Sequence, residues 1–130
     1  MRFRAMVTAV VLGALLIGGT TLPALARAGD VVRSGACSGP SNWKLKLKED
    51  NGRVEVEYEV DQDRVGDVWR VRIRHDGDLV FNGRRATRAP SGSFTVRLLQ
   101  RNRVGNDVFL GRAVNLRTGE ICGGRGVWPA

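Results

Sequence analysis

Residues Trp43 to Val60 read WKLKLKEDNGRVEVEYEV, and charged and apolar residues alternate on both sides of Asn51-Gly52. A period of two is the mark of a strand with one dry and one wet face. Asn-Gly is the preferred two-residue hairpin turn, because both central positions require positive φ. Folding about it sets Lys44, Lys46 and Lys48 opposite Glu59, Glu57 and Glu55, and Asp50 opposite Arg53. The same pairing sets Trp43, Leu45 and Leu47 opposite Val60, Tyr58 and Val56. A slip of one residue turns every apolar side chain to water, so the charge pairs and the dry face select one register. A hairpin with such a face needs a second layer to cover it.

The rest of the chain offers that layer as short alternating segments with turn residues every 8 to 12 positions, the spacing of an all-β sandwich or barrel. In VWRVRIRHDGDLVF, Trp69, Val71 and Ile73 form one face, and Arg70, Arg72 and Arg74 the other. His75-Asp76-Gly77 reads as a three-residue loop with Gly77 left-handed, which sets Ile73 against Leu79, Val71 against Phe81 and Arg74 opposite Asp78. Asn82-Gly83 is a further turn signal, and Pro90 discourages pairing in the loop from Arg88 to Gly92. SFTVRLLQ points Phe94, Val96 and Leu98 inward. In DVFLGRAVN the face of Phe109, Gly111, Ala113 and Asn115 is expected at the core, because the alternative buries Arg112. Thr118-Gly119 then turns the chain into a last short strand around Ile121 and Cys122. Seven strands result, at 43–48, 54–60, 68–75, 79–88, 93–99, 107–115 and 119–124.

The N-terminus reads as a Sec-type signal peptide over residues 1–28. Arg2 and Arg4 precede an apolar run, Ala5 to Ile17, too short to cross a bilayer. Gly18, Gly19 and Pro23 follow, with cleavage sites after Ala26 and Ala28. The expected product is a secreted or envelope-associated domain, residues 29–130, without a transmembrane segment. A core of that size gains from a covalent staple, and in an oxidising compartment Cys37 and Cys122 are expected to form it, stabilising by about 4 kcal/mol on the chain-entropy model. SGAC, ending at Cys37, also has the ending of a lipoprotein acceptor site. Ser34 holds the position where a leucine-like residue is wanted, the apolar run ends far upstream, and lipidation leaves Cys122 alone.

The strand order is similar to that of an immunoglobulin or fibronectin type III sandwich. Phe109-x-Gly111-x-Ala113-x-Asn115 is similar to the immunoglobulin F-strand run Tyr-x-Cys-x-Ala, and Trp69 stands where the buried C-strand tryptophan does. Gly111 replaces the F-strand cysteine and 54–60 has none, so the usual inter-sheet disulfide is absent. The stretches VEVEYEVDQDRVGDVWRVRIRHDG, APSGSFTVR and NLRTGEIC also resemble small exported actinobacterial proteins of unassigned function, a resemblance that implies no activity. Together these imply one immunoglobulin-like antiparallel β-sandwich, with 43–48, 54–60 and 93–99 in one sheet and 68–75, 107–115 and 119–124 in the other.

Removing Arg2, Arg4 and Arg27 with the leader lowers the formal net charge from +8 to +5. That excess favours anionic partners without defining a site. Catalytic candidates are few. His75, the chain's one histidine, lies in HDGD, first of all a turn, and cannot build a three-ligand metal site alone. Asp61, Asp63 and Asp67 in DQDRVGD are calcium candidates, but Val65 takes the fifth position of the loop pattern and no Glu takes the twelfth. No serine elbow is present, and CGGRG lacks the Lys and Ser/Thr of a phosphate loop. The expectation is a binding module, without catalysis or cofactor, that contacts an anionic envelope polymer or acidic protein. Its candidate residues are Arg70, Arg72, Arg74 and Arg112, with Leu110 and Val114 between them. Arg84, Arg85, Arg88, Arg101 and Arg103 form a secondary set. The alternative is an inhibitor of a secreted hydrolase presenting Arg101 to Asn106. Nucleic acid is disfavoured, because few aromatics are free to stack on bases. One question decides whether the arginine row is free: if 68–75 lay beside 54–60 in one sheet, the glutamates would neutralise it.

Overall fold

The computed structural model describes residues 29–130; the expected signal peptide lies outside the described residues. Eight strands follow in order: β1 (Val31–Ala36), β2 (Asn42–Asp50), β3 (Arg53–Asp61), β4 (Val68–His75), β5 (Asp78–Ala86), β6 (Ser93–Arg101), β7 (Asp107–Asn115) and β8 (Ile121–Trp128). They form two antiparallel four-stranded sheets, ordered β1-β2-β3-β6 and β5-β4-β7-β8. The expected sheet partition therefore holds, and β4 does not lie beside β3.

The β2–β3 hairpin has the expected register throughout. Asn51 (φ 50°) and Gly52 (φ 78°) both take the left-handed conformation that its turn requires. On the outer face Lys48 meets Glu55 at 3.4 Å, and Arg97 of β6 reaches Glu55 at 3.1 Å and Glu57 at 2.8 Å. The inner face supplies Leu45, Leu47, Val56, Tyr58 and Val60, packed against Trp69, Val71, Ile73, Phe109 and Ala113 from the other sheet. Gly111 is what lets Tyr58 lie flat against β7, since a Cβ there would stand 2.8 Å from the ring. The phenol hydroxyl donates to the Cys122 carbonyl at 2.9 Å. Cys37 and Cys122 are joined in a disulfide with a sequence separation of 85, which links the end of β1 to β8.

Four expectations are corrected. β1 is an eighth strand, unmarked in sequence because it is an edge: of VVRSGA only Val31 and Gly35 are part-covered, and Gly35 makes room for the Trp43 indole. β8 runs on to Trp128, because its inward positions include Gly124 and Gly126, which lie under Trp43 and under Leu45 and Leu47. Glycines that permit close sheet approach erase the apolar alternation that signals a strand.

The β4–β5 turn is the third correction. It has two residues, Asp76 (φ 49°) and Gly77 (φ 86°), so His75 is the last strand residue and pairs with Asp78. A bulge after Ile73 shifts the register, so Ile73 faces Phe81, Val71 faces Gly83 and Arg74 faces Leu79. Asn82-Gly83 is not a turn but the interior of β5, where the Phe81 ring fills the space over Gly83.

Candidate anion-binding face

Three rows cross the outer face of the β5-β4-β7-β8 sheet. Leu79, Arg74, Leu110 and Arg125 form the first; Asn82, Arg72, Arg112 and Gly123 the second; Arg84, Arg70, Val114 and Ile121 the third. Strand alternation puts all six arginines outward and Trp69, Val71, Ile73, Phe109 and Ala113 inward. None of the rows contains a carboxylate. Among the described residues none of the six makes an ion pair, and Arg74 alone anchors itself, donating to the Gly77 carbonyl at 3.0 Å.

Two cross-strand pairs oppose like charges: Arg70 stands directly across from Arg84, and Arg72 from Arg112. Such pairs are destabilising, by up to about 1 kcal/mol each. They sit on β4 and its two neighbours rather than at a frayed end. Arg72, Arg74 and Arg112 also surround a shallow cleft of about 360 Å³, lined besides by Leu110 and Val114. The opposite sheet is built in the other way, with its Glu row interleaved between Lys on β2 and Arg97 on β6.

The structure thus brings Arg70, Arg72, Arg74 and Arg112 together and adds Arg84 and Arg125. In the sequence Arg125 is hidden by the glycines around it. The remaining secondary candidates scatter. Arg85 lies over the Phe81 ring at 4.9 Å and lines, with Arg88, a separate cleft beside Phe94. Arg101 ends β6 opposite Arg53, on the other sheet. Arg103 is tied down, 2.9 Å from Asp78 and 3.7 Å from Asp76.

Asp61, Asp63 and Asp67 do not gather ligand atoms at one point among the described residues. Asp67 is instead the buried hub of one end of the sandwich. Arg117 donates to both its oxygens at 2.9 and 2.8 Å, and Gln62 and Asn115 donate to Oδ2 at 2.6 and 3.0 Å. The Arg117 guanidinium first, then the two amides, hold its carboxyl well below the usual carboxylate range.

His75 forms the hub of the other end. It is fully buried, stacked on Phe109 at 4.3 Å, with Nε2 2.5 Å from Asp107 Oδ1 and Nδ1 3.2 Å from Gln100 Oε1. Its Nε2 also lies 3.7 Å from Asp76, so the three side chains form a group with metal-ligating atoms. The Arg103 guanidinium already supplies the positive charge beside Asp76 and Asp78, and Asp107 already engages the imidazole. The group clasps the ends of β4, β6 and β7 rather than presenting a base to solvent. Sequence reasoning missed both hubs, because the hydrogen-bonded partners within them lie up to 50 residues apart.

No family model, curated protein or solved structure matches the chain. The functional reading therefore rests on the arginine face itself.

Proposed function

We propose that this is an exported binding module whose β5-β4-β7-β8 face binds an anionic polymer of the cell envelope. The observation that carries the reading is the Arg72–Arg112 pair: two cations directly opposed at the middle of a sheet, with no carboxylate in their rows. Solubility alone does not ask for this, since the other sheet stays soluble with neutralised charge. An anion laid across the face converts the repulsion into attraction, through guanidinium forks that bind oxyanions bidentately. The apolar positions between the forks add contact area. The leader-like residues 1–28 and the disulfide support export into an oxidising compartment.

The test is equilibrium binding of residues 29–130 to anionic envelope polymers of several chemistries, with Arg72→Gln/Arg112→Gln compared with Lys44→Gln/Lys46→Gln on the opposite sheet. The reading expects the arginine variant to lose about tenfold or more and the lysine variant to stay near wild type. Equal losses overturn it.

The alternative, inhibition of a secreted hydrolase, draws on the loop after β6. Asp107 Oδ1 accepts from the Arg103 amide at 3.1 Å and braces a tip at which Val104 is fully exposed. Because Arg103 is engaged by Asp78, Arg101 is the basic side chain left for a trypsin-like pocket. Unchanged protease activity at equimolar protein removes this reading.

A further inference from the structure

We propose, on the basis of the anion-binding reading above, that the cleft among Arg72, Arg74 and Arg112 takes the phosphodiester group of a polyol-phosphate polymer. The three guanidinium groups arrive from two neighbouring strands, Arg72 and Arg74 from β4 and Arg112 from β7. A carboxylate presents its lone pairs in one plane, so several guanidinium forks compete for that plane. A tetrahedral phosphate spreads its acceptor lone pairs out of a single plane, so it accepts from several guanidinium groups carried on two neighbouring strands.

The walls narrow the class further. Leu110 and Val114 line the cleft between the arginines, and Leu110 is 42% exposed. An inorganic polyanion leaves them wet, whereas the carbons of a polyol ester cover them. Along β4 the outward positions Arg70, Arg72 and Arg74 repeat about every 6.6 Å, twice the rise per residue. A phosphodiester chain with a three-carbon spacer carries one charge per repeat at a comparable pitch, so consecutive groups meet consecutive arginines.

Two other phosphate sources fit less well. A lipid surface asks for aromatic anchors at the headgroup level, and no aromatic side chain occupies an outward position in these rows. Nucleic acid asks for stacking platforms, absent for the same reason.

The probes are poly(glycerol phosphate), polyglutamate matched in charge and length, and phosphatidylglycerol vesicles, each titrated with wild-type 29–130 and with Arg72→Lys. Arg72→Lys keeps the charge and removes the fork, and thermal melting confirms that it is folded. Poly(glycerol phosphate) is expected to bind about tenfold tighter than polyglutamate, and Arg72→Lys to erase most of that difference. Leu110→Asn is expected to weaken poly(glycerol phosphate) alone. Equal affinity for polyglutamate, or a preference untouched by Arg72→Lys, overturns the phosphodiester assignment and leaves the face itself standing. Vesicles binding as tightly as the polymer overturn the choice of polymer. If none of the three binds, the reading of the face fails as well.

Discussion

Arg72 on β4 and Arg112 on β7 are direct cross-strand partners on the solvent face of a sheet, and neither has a carboxylate in its row. In the opposite sheet the equivalent central relationship is Glu57 with Lys46 on one side and Arg97 on the other. One chain therefore contains both solutions to a wet sheet face, one neutralised and one left charged.

That contrast makes a stability prediction with an unusual sign. Arg112→Gln removes a cation from a repulsive pair and is expected to stabilise the free protein by about 0.5 kcal/mol at low ionic strength. The gain should shrink as salt screens the pair. Urea unfolding at two salt concentrations measures it, and a clear loss of stability at low salt argues against uncompensated repulsion.

Asp67 predicts the acid limit of the fold. Its carboxyl titrates below the usual range in the folded chain because Arg117, Asn115 and Gln62 favour the charged form. The stabilisation is therefore fully present above the unfolded value of about 4 and is lost as pH falls below it, towards the depressed folded value. Asp67→Asn should be less stable than wild type at neutral pH, and its stability should fall less steeply below about pH 4. Parallel acid limbs for the two proteins would place the hub elsewhere.

Tyr58 is the chain's one tyrosine, so phenolate absorbance reports it alone. Burial raises its ionisation well above the ordinary value. Its contribution is thus intact below about pH 10, the unfolded value, and declines as pH rises past it. Phenolate should appear only together with loss of the folded near-ultraviolet signal. Tyr58→Phe leaves the Cys122 carbonyl without this donor and should cost about 1 kcal/mol. A phenol that ionises near pH 10 in the folded protein contradicts the packing against Gly111.

Gly111 carries a packing prediction of its own. Gly111→Ala pushes a methyl into the Tyr58 ring from a strand fixed on both sides, and should destabilise by about 1–3 kcal/mol. Denaturant midpoints measure it; a neutral substitution means that the two sheets can move apart there.

What is legible in the sequence is local and periodic. The register of β2 and β3 is written twice, in charge and in hydrophobicity, so the pairing around Asn51-Gly52 reads off directly. The partition of strands between sheets, the disulfide partners and the inward face of β7 follow from similar constraints. The apolar signal of β8 stops short because Gly124 and Gly126 serve the packing of Trp43, Leu45 and Leu47 and carry no apolar side chain of their own. The β4–β5 register is shifted by a bulge that no residue type announces. His75 has the local signature of a turn residue, because its partners Gln100 and Asp107 reach it only through the fold. Four of the six face arginines follow from alternation and strand placement in the sequence; Arg84 and Arg125 join once β5 and β8 are placed.

The proposal that the free arginines bind a polyanion as a set is tested most directly by the salt dependence of that binding. Affinity of residues 29–130 for poly(glycerol phosphate) should fall linearly with salt on logarithmic axes, as bound cations are released. Arg72→Gln/Arg112→Gln should reduce that slope by about two, one for each phosphate no longer neutralised. A slope unchanged by the double substitution contradicts the account.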